Sequence, residues 1–239
     1  MLPYALVTGA DRGLGYALVK QLLHRQYNVI ASQYMRDQGQ LDQLANEYEG
    51  KLTLVQLDVA NDHSVAQAAK TIATLTDKLD ILINNAGVLG DTEATIHEPL
   101  NFNEMQQVFN VNSLGPLRVV NALAPLVLAS DRKLIVNISS EAGSIAECER
   151  TSWFGYCMSK AALNMQSALI HNQIKSAGGQ LLLLHPGWVQ SYMHGSLNLE
   201  ADLSADESAS QIVNRIFEFK ATPTNKPIYM DYLGNLLPW

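Results

Sequence analysis

The stretch Thr8-Gly9-Ala10-Asp11-Arg12-Gly13-Leu14-Gly15 lies between the apolar run Tyr4–Val7 and a segment of helical spacing, and its reading decides the fold. A strand that feeds a glycine-rich turn and then a helix is the phosphate-binding start of a βαβ unit. Gly9 allows the tight turn, Gly13 lets the backbone approach a pyrophosphate, and Gly15 lets helix and strand pack closely. The helix start, with Leu14 in its first turn, offers free N–H groups and a positive dipole end to the phosphates. The spacing is GxxxGxG. Alone, such a turn is equally compatible with an ordinary strand–helix connection; its place after the first strand favours the cofactor reading.

Outward from this turn, Leu14, Ala17, Leu18 and Leu22 line one side of a helix over Gly13–His24. Further strands are predicted over residues 29–32, 52–57, 80–83, 133–138, 181–184 and 227–230. Between them the spacing predicts helices over 41–49, 65–75, 103–129 and 154–176. The third of these should bend near Gly115-Pro116, and the fourth should end at Gly178-Gly179. A last helix over 204–219 is opened by the capping-box pattern Ser204-x-x-Glu207. Strand and helix in repeated alternation imply an α/β fold, a doubly wound parallel sheet of about seven strands with helices on both faces. No linker interrupts residues 1–239, which read as a single domain. Three long stretches, 88–102, 143–153 and 191–203, follow strand C-terminal ends, where an open α/β sheet holds its ligand; they are expected to shape the pocket.

Composition sets the outer bounds. The 239 residues carry 47% hydrophobic side chains, enough for a sizeable core, and a formal charge of −7 from 16 basic and 23 acidic residues. Without a basic block to neutralise phosphates, nucleic acid is excluded as the main ligand. The two cysteines, Cys148 and Cys157, form no CxxC pair and read as free thiols of a reducing cytoplasm. The sequence shows neither a signal peptide nor an apolar run as long as a membrane span, so no membrane association is expected. The six histidines form no HExxH pair and the carboxylates lack metal spacing. No GxSxG elbow surrounds Ser139 or Ser140, which argues against an α/β-hydrolase.

The end of the second strand selects between nicotinamide cofactors. An acid there would hold a ribose 2′-hydroxyl and repel a 2′-phosphate. This chain has Ser32-Gln33-Tyr34, with Gln33 counted among the cofactor contacts. Arg12 in the turn and Arg36 after the strand could meet a 2′-phosphate; of the two, Arg12 is favoured for that role and Arg36 reads first as a solvated surface charge. NADP(H) is therefore preferred, with NAD(H) still usable.

Tyr156-Cys157-Met158-Ser159-Lys160 puts a phenol and an ammonium at i and i+4, on one helix face. A free tyrosine titrates near about 10, and an adjacent cation favours its phenolate. Such a group could protonate a developing alkoxide or deprotonate an alcohol. Tyrosine–lysine pairs at this spacing are also common on plain helix surfaces. The Ser139-Ser140 pair follows the fifth strand, where a hydroxyl can reach a carbonyl oxygen. Asn112, inside the predicted long helix, could bind a water that serves Lys160 or could simply be exposed.

Taken together, residues 8–15, Leu57-Asp58-Val59, Asn84-Asn85-Ala86-Gly87, Asn112-x-x-Gly115, Ser140, Tyr156-x-x-x-Lys160 and Pro186-Gly187 resemble the single-domain short-chain dehydrogenase/reductases over essentially the whole length. The segment His185-Pro186-Gly187-Trp188-Val189-Gln190 and the ending Tyr232-x-Gly234-x-x-x-Pro238-Trp239 are similar to the C-factor and sniffer-type carbonyl reductases. The resemblance implies the strand order 3-2-1-4-5-6-7 and a catalytic tetrad of Asn112, Ser140, Tyr156 and Lys160. In it Tyr156 is the acid–base, Lys160 holds the nicotinamide ribose and acidifies Tyr156, and Ser140 orients the carbonyl. It also places Asp58 and Val59 at the adenine and Asn85, Ala86 and Gly87 in the cofactor cleft. Pro186 and Gly187 join the cofactor contacts, and Val189 and Ser191 would meet the nicotinamide carboxamide. The implied reaction interconverts a small-molecule carbonyl and alcohol, in a homodimer or homotetramer paired through the helices over 103–129 and 154–176. The alternative is a catalytically silent cofactor-binding sensor. Two departures stand out. Tyr192 replaces an aspartate frequent in such relatives. Glu141 and the cluster Glu147-Cys148-Glu149-Arg150 are expected as a solvated loop; turned inward, they would disfavour an anionic substrate.

Overall fold

Strands made almost wholly of Val, Ile and Leu have no polar face to show to water, so they must be covered on both sides. The computed structural model, which describes residues 2–35, 39–193, 195–220 and 226–239, meets that demand with one parallel sheet. Its strands are β1 (Tyr4–Val7), β2 (Asn28–Gln33), β3 (Leu52–Gln56), β4 (Ile81–Asn84), β5 (Leu134–Ile138), β6 (Gln180–His185) and β7 (Ile228–Asp231). They lie in the order β3-β2-β1-β4-β5-β6-β7, with every neighbouring pair parallel. Every residue of β4 and β5 is buried.

Helices α1 (Gly13–His24) and α7 (Ala205–Glu218) cover one face, where Leu18 and Leu22 join Ile212 and Val213 in the core with Val7, Ile83 and Val136. The other face is covered by α3 (Asp62–Leu75), α5 (Gly115–Ala129) and α6 (Phe154–Ile174), through Ile72, Leu123 and Ile170 against Leu6, Leu82 and Ile135. The short α2 (Gly39–Glu47) adds Leu41 and Leu44 at the sheet edge. The strand order switches direction at β1, which lies between β2 and β4 with all three strands running the same way. Register aligns Val7 with both Ala31 and Ile83, so three strand ends open at one crevice.

Ser204 and Glu207 form the reciprocal cap read from the sequence, and Gly178 adopts a left-handed conformation after a 3-10 turn over Lys175–Ala177. The helix predicted over 103–129 differs. It is two helices, α4 (Phe102–Phe109) and α5, joined by a π turn at Asn110–Leu114, just ahead of the predicted bend. Pro116 at the start of α5 has no N–H to return to the preceding turn, and the widened turn accommodates that loss. By length and composition alone, the 28-residue stretch Phe102–Ala129, which holds an 18-residue window of mean hydropathy 1.3, would pass as a membrane span, which amends the sequence reading. Here they are broken by the π turn and pack against α3 and α6 as core helices.

Candidate active site

The crevice is built by hydrogen bonds between the ends of β1 and β4. Thr8 Oγ1 accepts from the Asn85 and Ala86 amides at 3.0 and 3.1 Å. Asn85 Nδ2 donates to the carbonyls of Thr8 and Gly9 at 3.0 and 3.1 Å. A Cβ at Gly15 would lie 2.1 Å from the Gly9 carbonyl oxygen, so only glycine lets α1 start this close to the turn. Gly13, at φ +56, is different: a Cβ there meets nothing within 4 Å. The helix N-terminus thus faces open space of the kind a pyrophosphate needs. Asp11 is spent on structure, its carboxylate accepting from the Tyr34 and Met35 amides at 2.9 Å. Arg12 reaches across the crevice and stacks on the Tyr192 ring, 4.7 Å from its centroid.

A cleft of about 950 Å³ follows this edge. It is lined by Gly9, Arg12, Gly13, Leu14 and Gly15, by Asp58 and Val59, and by Asn85, Ala86 and Gly87. Pro186, Gly187, Val189, Ser191, Ser140, Tyr156 and Lys160 complete the sequence-derived set on its walls. Two predicted contacts are not on those walls. Gln33 ends β2, where its carbonyl accepts from the Leu57 amide, while Tyr34 and Met35 line the cleft instead. Asn112 is buried in the π turn; its Oδ1 accepts from the Val88 amide, and its Nδ2 donates to the Val88 carbonyl, both at 2.8 Å, and to Ser159 Oγ at 3.0 Å. Its side chain therefore pins the backbone after Gly87 rather than standing free for water. Arg36 lies outside the described residues.

Tyr156 and Lys160 are both buried on the α6 face that meets the cleft. Lys160 Nζ sits 5.5 Å from the Tyr156 ring centroid and donates to the Ile138 carbonyl at 2.9 Å. Ser140 caps a 3-10 turn over Glu141–Gly143 and lies on the cleft wall with Tyr156. Trp153, at φ +64, is a bulky residue in the left-handed region; its ring meets Tyr156 edge-on at 5.9 Å. Holding a non-glycine residue there costs roughly 1–2 kcal/mol, a strain of the kind found at functional sites.

Comparison with protein-family models matches residues 3–202 to the short chain dehydrogenases. The chain belongs to that family. Among curated relatives, the C-signal protein of Myxococcus xanthus is 35% identical over 170 residues, 69% of this chain and 95% of its own. The carbonyl reductase Sniffer of D. melanogaster superposes with a TM-score of 0.90 at 26% identity, covering 100% of both chains. A short-chain dehydrogenase/reductase from Burkholderia multivorans, solved with bound NADP, superposes at 0.87 with 31% identity, again over 100% of both chains.

In this short-chain dehydrogenase, burial governs the charges at the site. It pushes the Tyr156 phenol upward, outweighing the opposing influence of the Ser140 hydroxyl, and brings Lys160 down to about 8. The expected acidification of Tyr156 by Lys160 is thus outweighed by desolvation in the chain itself. Glu141 faces the cleft, contrary to the sequence expectation, while Glu147 and Glu149 face solvent. Burial raises the Glu141 carboxyl, but Ser140, His185, Arg150 and the Ala142 amide outweigh it and hold it below the ordinary range. Arg150 pairs with Glu141 and lies over the Trp153 ring at 5.3 Å. His185 Nδ1 is 3.8 Å from Glu141, and burial lowers the imidazole. The site roles of Glu141, Arg150, Trp153 and His185 had only weak sequence signals, because their meeting depends on how the loop over residues 144–153 folds back.

Proposed function

We propose that this chain is an NADPH-dependent carbonyl reductase in which Tyr156 is the general acid. The observation that carries this reading is the convergence of Tyr156, Lys160 and Ser140 on one wall of a dinucleotide-sized cleft whose other end is the open N-terminus of α1. The residues fit a dinucleotide. The turn at Gly13 leaves room for phosphates, Asp58 and Val59 border the adenine end, and Gly187, Val189 and Ser191 border the nicotinamide end. When bound, NADPH supplies the hydride. Arg12, on the cleft wall, is the charge that favours the 2′-phosphate form, and the strand end Ser32-Gln33-Tyr34 brings no acid to oppose it. The NADP reported with the Burkholderia multivorans structure supports the same choice.

Tyr156 donates its proton to the carbonyl oxygen as negative charge develops there. Lys160, mostly protonated at neutral pH with its midpoint near about 8, offers its remaining hydrogens to a ribose hydroxyl and stabilises the phenolate left behind. Trp153, Trp188 and Met193 give the substrate end an apolar wall. Together with the Glu141–Arg150 ion pair, this wall suits an uncharged ketone or aldehyde better than an anion. The reading includes a cytoplasmic location and pairing of protomers through α4, α5 and α6. Purified protein mixed with NADPH and a panel of aldehydes and ketones tests it by loss of NADPH absorbance. Cofactor binding without turnover of any of them would leave only the sensor reading.

A further inference from the structure

The pattern Tyr232-x-Gly234-x-x-x-Pro238-Trp239 builds a hairpin behind the cleft wall. Asp231 Oδ1 accepts from the Leu233 and Asn235 amides at 2.9 and 2.8 Å, and Gly234 supplies the left-handed turn at φ +95. The chain then returns antiparallel along β7. Leu236 is bridged to Met230, and the Leu237 amide donates to the Tyr229 carbonyl at 2.9 Å. This return sets the Trp239 ring against the Tyr229 ring, with 5.7 Å between centroids. It also lets the Trp239 carbonyl accept from the Ala146 amide at 3.2 Å.

Tyr229 carries the contact inward. Only 2% exposed, it lies level with Leu183 of β6, which is level in turn with Asn137 of β5. Its phenol crosses β6 and donates to the Ser140 carbonyl at 2.5 Å. The same carbonyl accepts from the Gly143 amide at 2.9 Å, which closes the 3-10 turn. The Ser140 hydroxyl is bound within that turn, accepting from the Ala142 amide at 3.2 Å and donating to Glu141 Oε2 at 2.5 Å. Moving its hydrogen from Glu141 to a substrate oxygen needs only rotation of the hydroxyl. The place of Oγ itself is set by how the turn is held. From α6, Asn164 Oδ1 accepts from Ser139 Oγ at 2.6 Å, and Asn164 Nδ2 donates to the Gly143 carbonyl at 3.2 Å. Those two bonds grip the flanks of the turn. The Tyr229 bond, from the opposite side, is made to Ser140 itself.

We propose that Tyr229, backed by Trp239, is a positioning residue that holds the Ser140 main chain so that its hydroxyl stands at the substrate oxygen. The inference rests on the carbonyl-reductase reading, in which Ser140 orients that oxygen.

The test is a mutant cycle read on reduction of nitrobenzaldehyde by NADPH. Tyr229→Phe removes one hydroxyl and leaves the Gly143 bond that closes the turn. It should lower kcat about 10- to 100-fold while the Kd for NADPH, read by fluorescence, stays at the wild-type value. In a Ser140→Ala background the same substitution should cost no more than about 2-fold, because the group being positioned is gone. Equal losses in the two backgrounds would mean that Tyr229 serves only the fold, and would overturn the proposal, as would no loss in either. Trp239→Ala should lower kcat in the same background-dependent way, and Trp239→Phe, which keeps a ring behind Tyr229, should recover most of that loss. Wild-type kcat in Trp239→Ala would overturn the backing role. Amide hydrogen exchange reads the same tie without turnover: residues 140–146 should exchange faster in Tyr229→Phe, and residues 8–15 should not. That result in a protein that reduces no carbonyl would sink the functional reading and support the tie from Tyr229 to Ser140. Turnover with unchanged exchange and equal losses would overturn this inference alone.

Discussion

Lys160 and Tyr156, one helical turn apart, share a buried pocket in which the ammonium lies 5.5 Å from the phenol ring centroid and gives a hydrogen bond to the Ile138 carbonyl. The cation is thus anchored to the end of β5. Desolvation lowers its affinity for the proton and raises that of the phenol, so in the absence of cofactor the pair sits nearer its neutral forms than the sequence pattern implies.

The first prediction follows from that desolvation. Lys160 titrates at about 8 when folded, against 10.5 for a free lysine. Between these values the unfolded chain binds more protons, so stability rises with pH there; below about 8 the full penalty for a buried charge is present. Lys160→Met should abolish turnover yet raise the Tm of the cofactor-free protein at neutral pH. Thermal unfolding across pH should show this advantage shrinking above about 8. A variant less stable than wild type at pH 7 would contradict the assigned penalty.

Tyr156→Phe removes the acid and leaves the ring against Trp153. Ser140 keeps its bond to Glu141, and the cleft keeps its shape. We expect kcat for carbonyl reduction to fall about 10²–10⁴-fold, with NADPH affinity and Tm close to wild type. Steady-state kinetics beside a fluorescence titration of NADPH would check both halves. Unchanged turnover would remove Tyr156 from the chemistry.

Much of this was legible in the chain because the signals are local. A glycine turn after an all-apolar strand specifies the crevice, and Tyr156-x-x-x-Lys160 specifies one face of one helix whatever lies around it. The register that brings Val7, Ala31 and Ile83 level follows from strands buried on both faces. What escaped depends on contacts distant in sequence. Asn112 looks like a free amide in a helix, yet the π turn aims it at Val88, 24 residues away. Glu141 reads as a loop acid until the chain at Arg150 and the end of β6 at His185 close around it. Gln33 has the right place along β2, but the cleft is lined by the next two residues, Tyr34 and Met35.

Cofactor choice should rest on Arg12. Its guanidinium stacks on Tyr192 at 4.7 Å, which holds it over the cleft. A charge-assisted contact with a 2′-phosphate contributes about 1.5–3 kcal/mol, so Arg12→Ala should lower kcat/KM for NADPH by about 10- to 100-fold while barely changing that for NADH. Tyr192→Phe keeps a ring under the cation and should retain most of the preference. Equal loss with both cofactors would mean that Arg12 supports the turn and does not read the phosphate.

The two glycines of the turn should fail in different ways. At Gly15 a Cβ would sit 2.1 Å from the Gly9 carbonyl oxygen and 2.6 Å from Asn85 Nδ2, against main chain and a side chain fixed by two hydrogen bonds. Such overpacking costs about 1–3 kcal/mol, so Gly15→Ala should lower Tm and weaken cofactor binding together. At Gly13 the added methyl meets nothing within 4 Å, and the cost is mainly that of holding alanine at φ +56, roughly 1–2 kcal/mol. That methyl would occupy the space left for phosphates, so Gly13→Ala should lose NADPH binding far out of proportion to its loss of Tm. Thermal unfolding and a cofactor titration on the two variants separate the cases. Normal NADPH affinity in Gly13→Ala would mean that the phosphates do not lie against the N-terminus of α1.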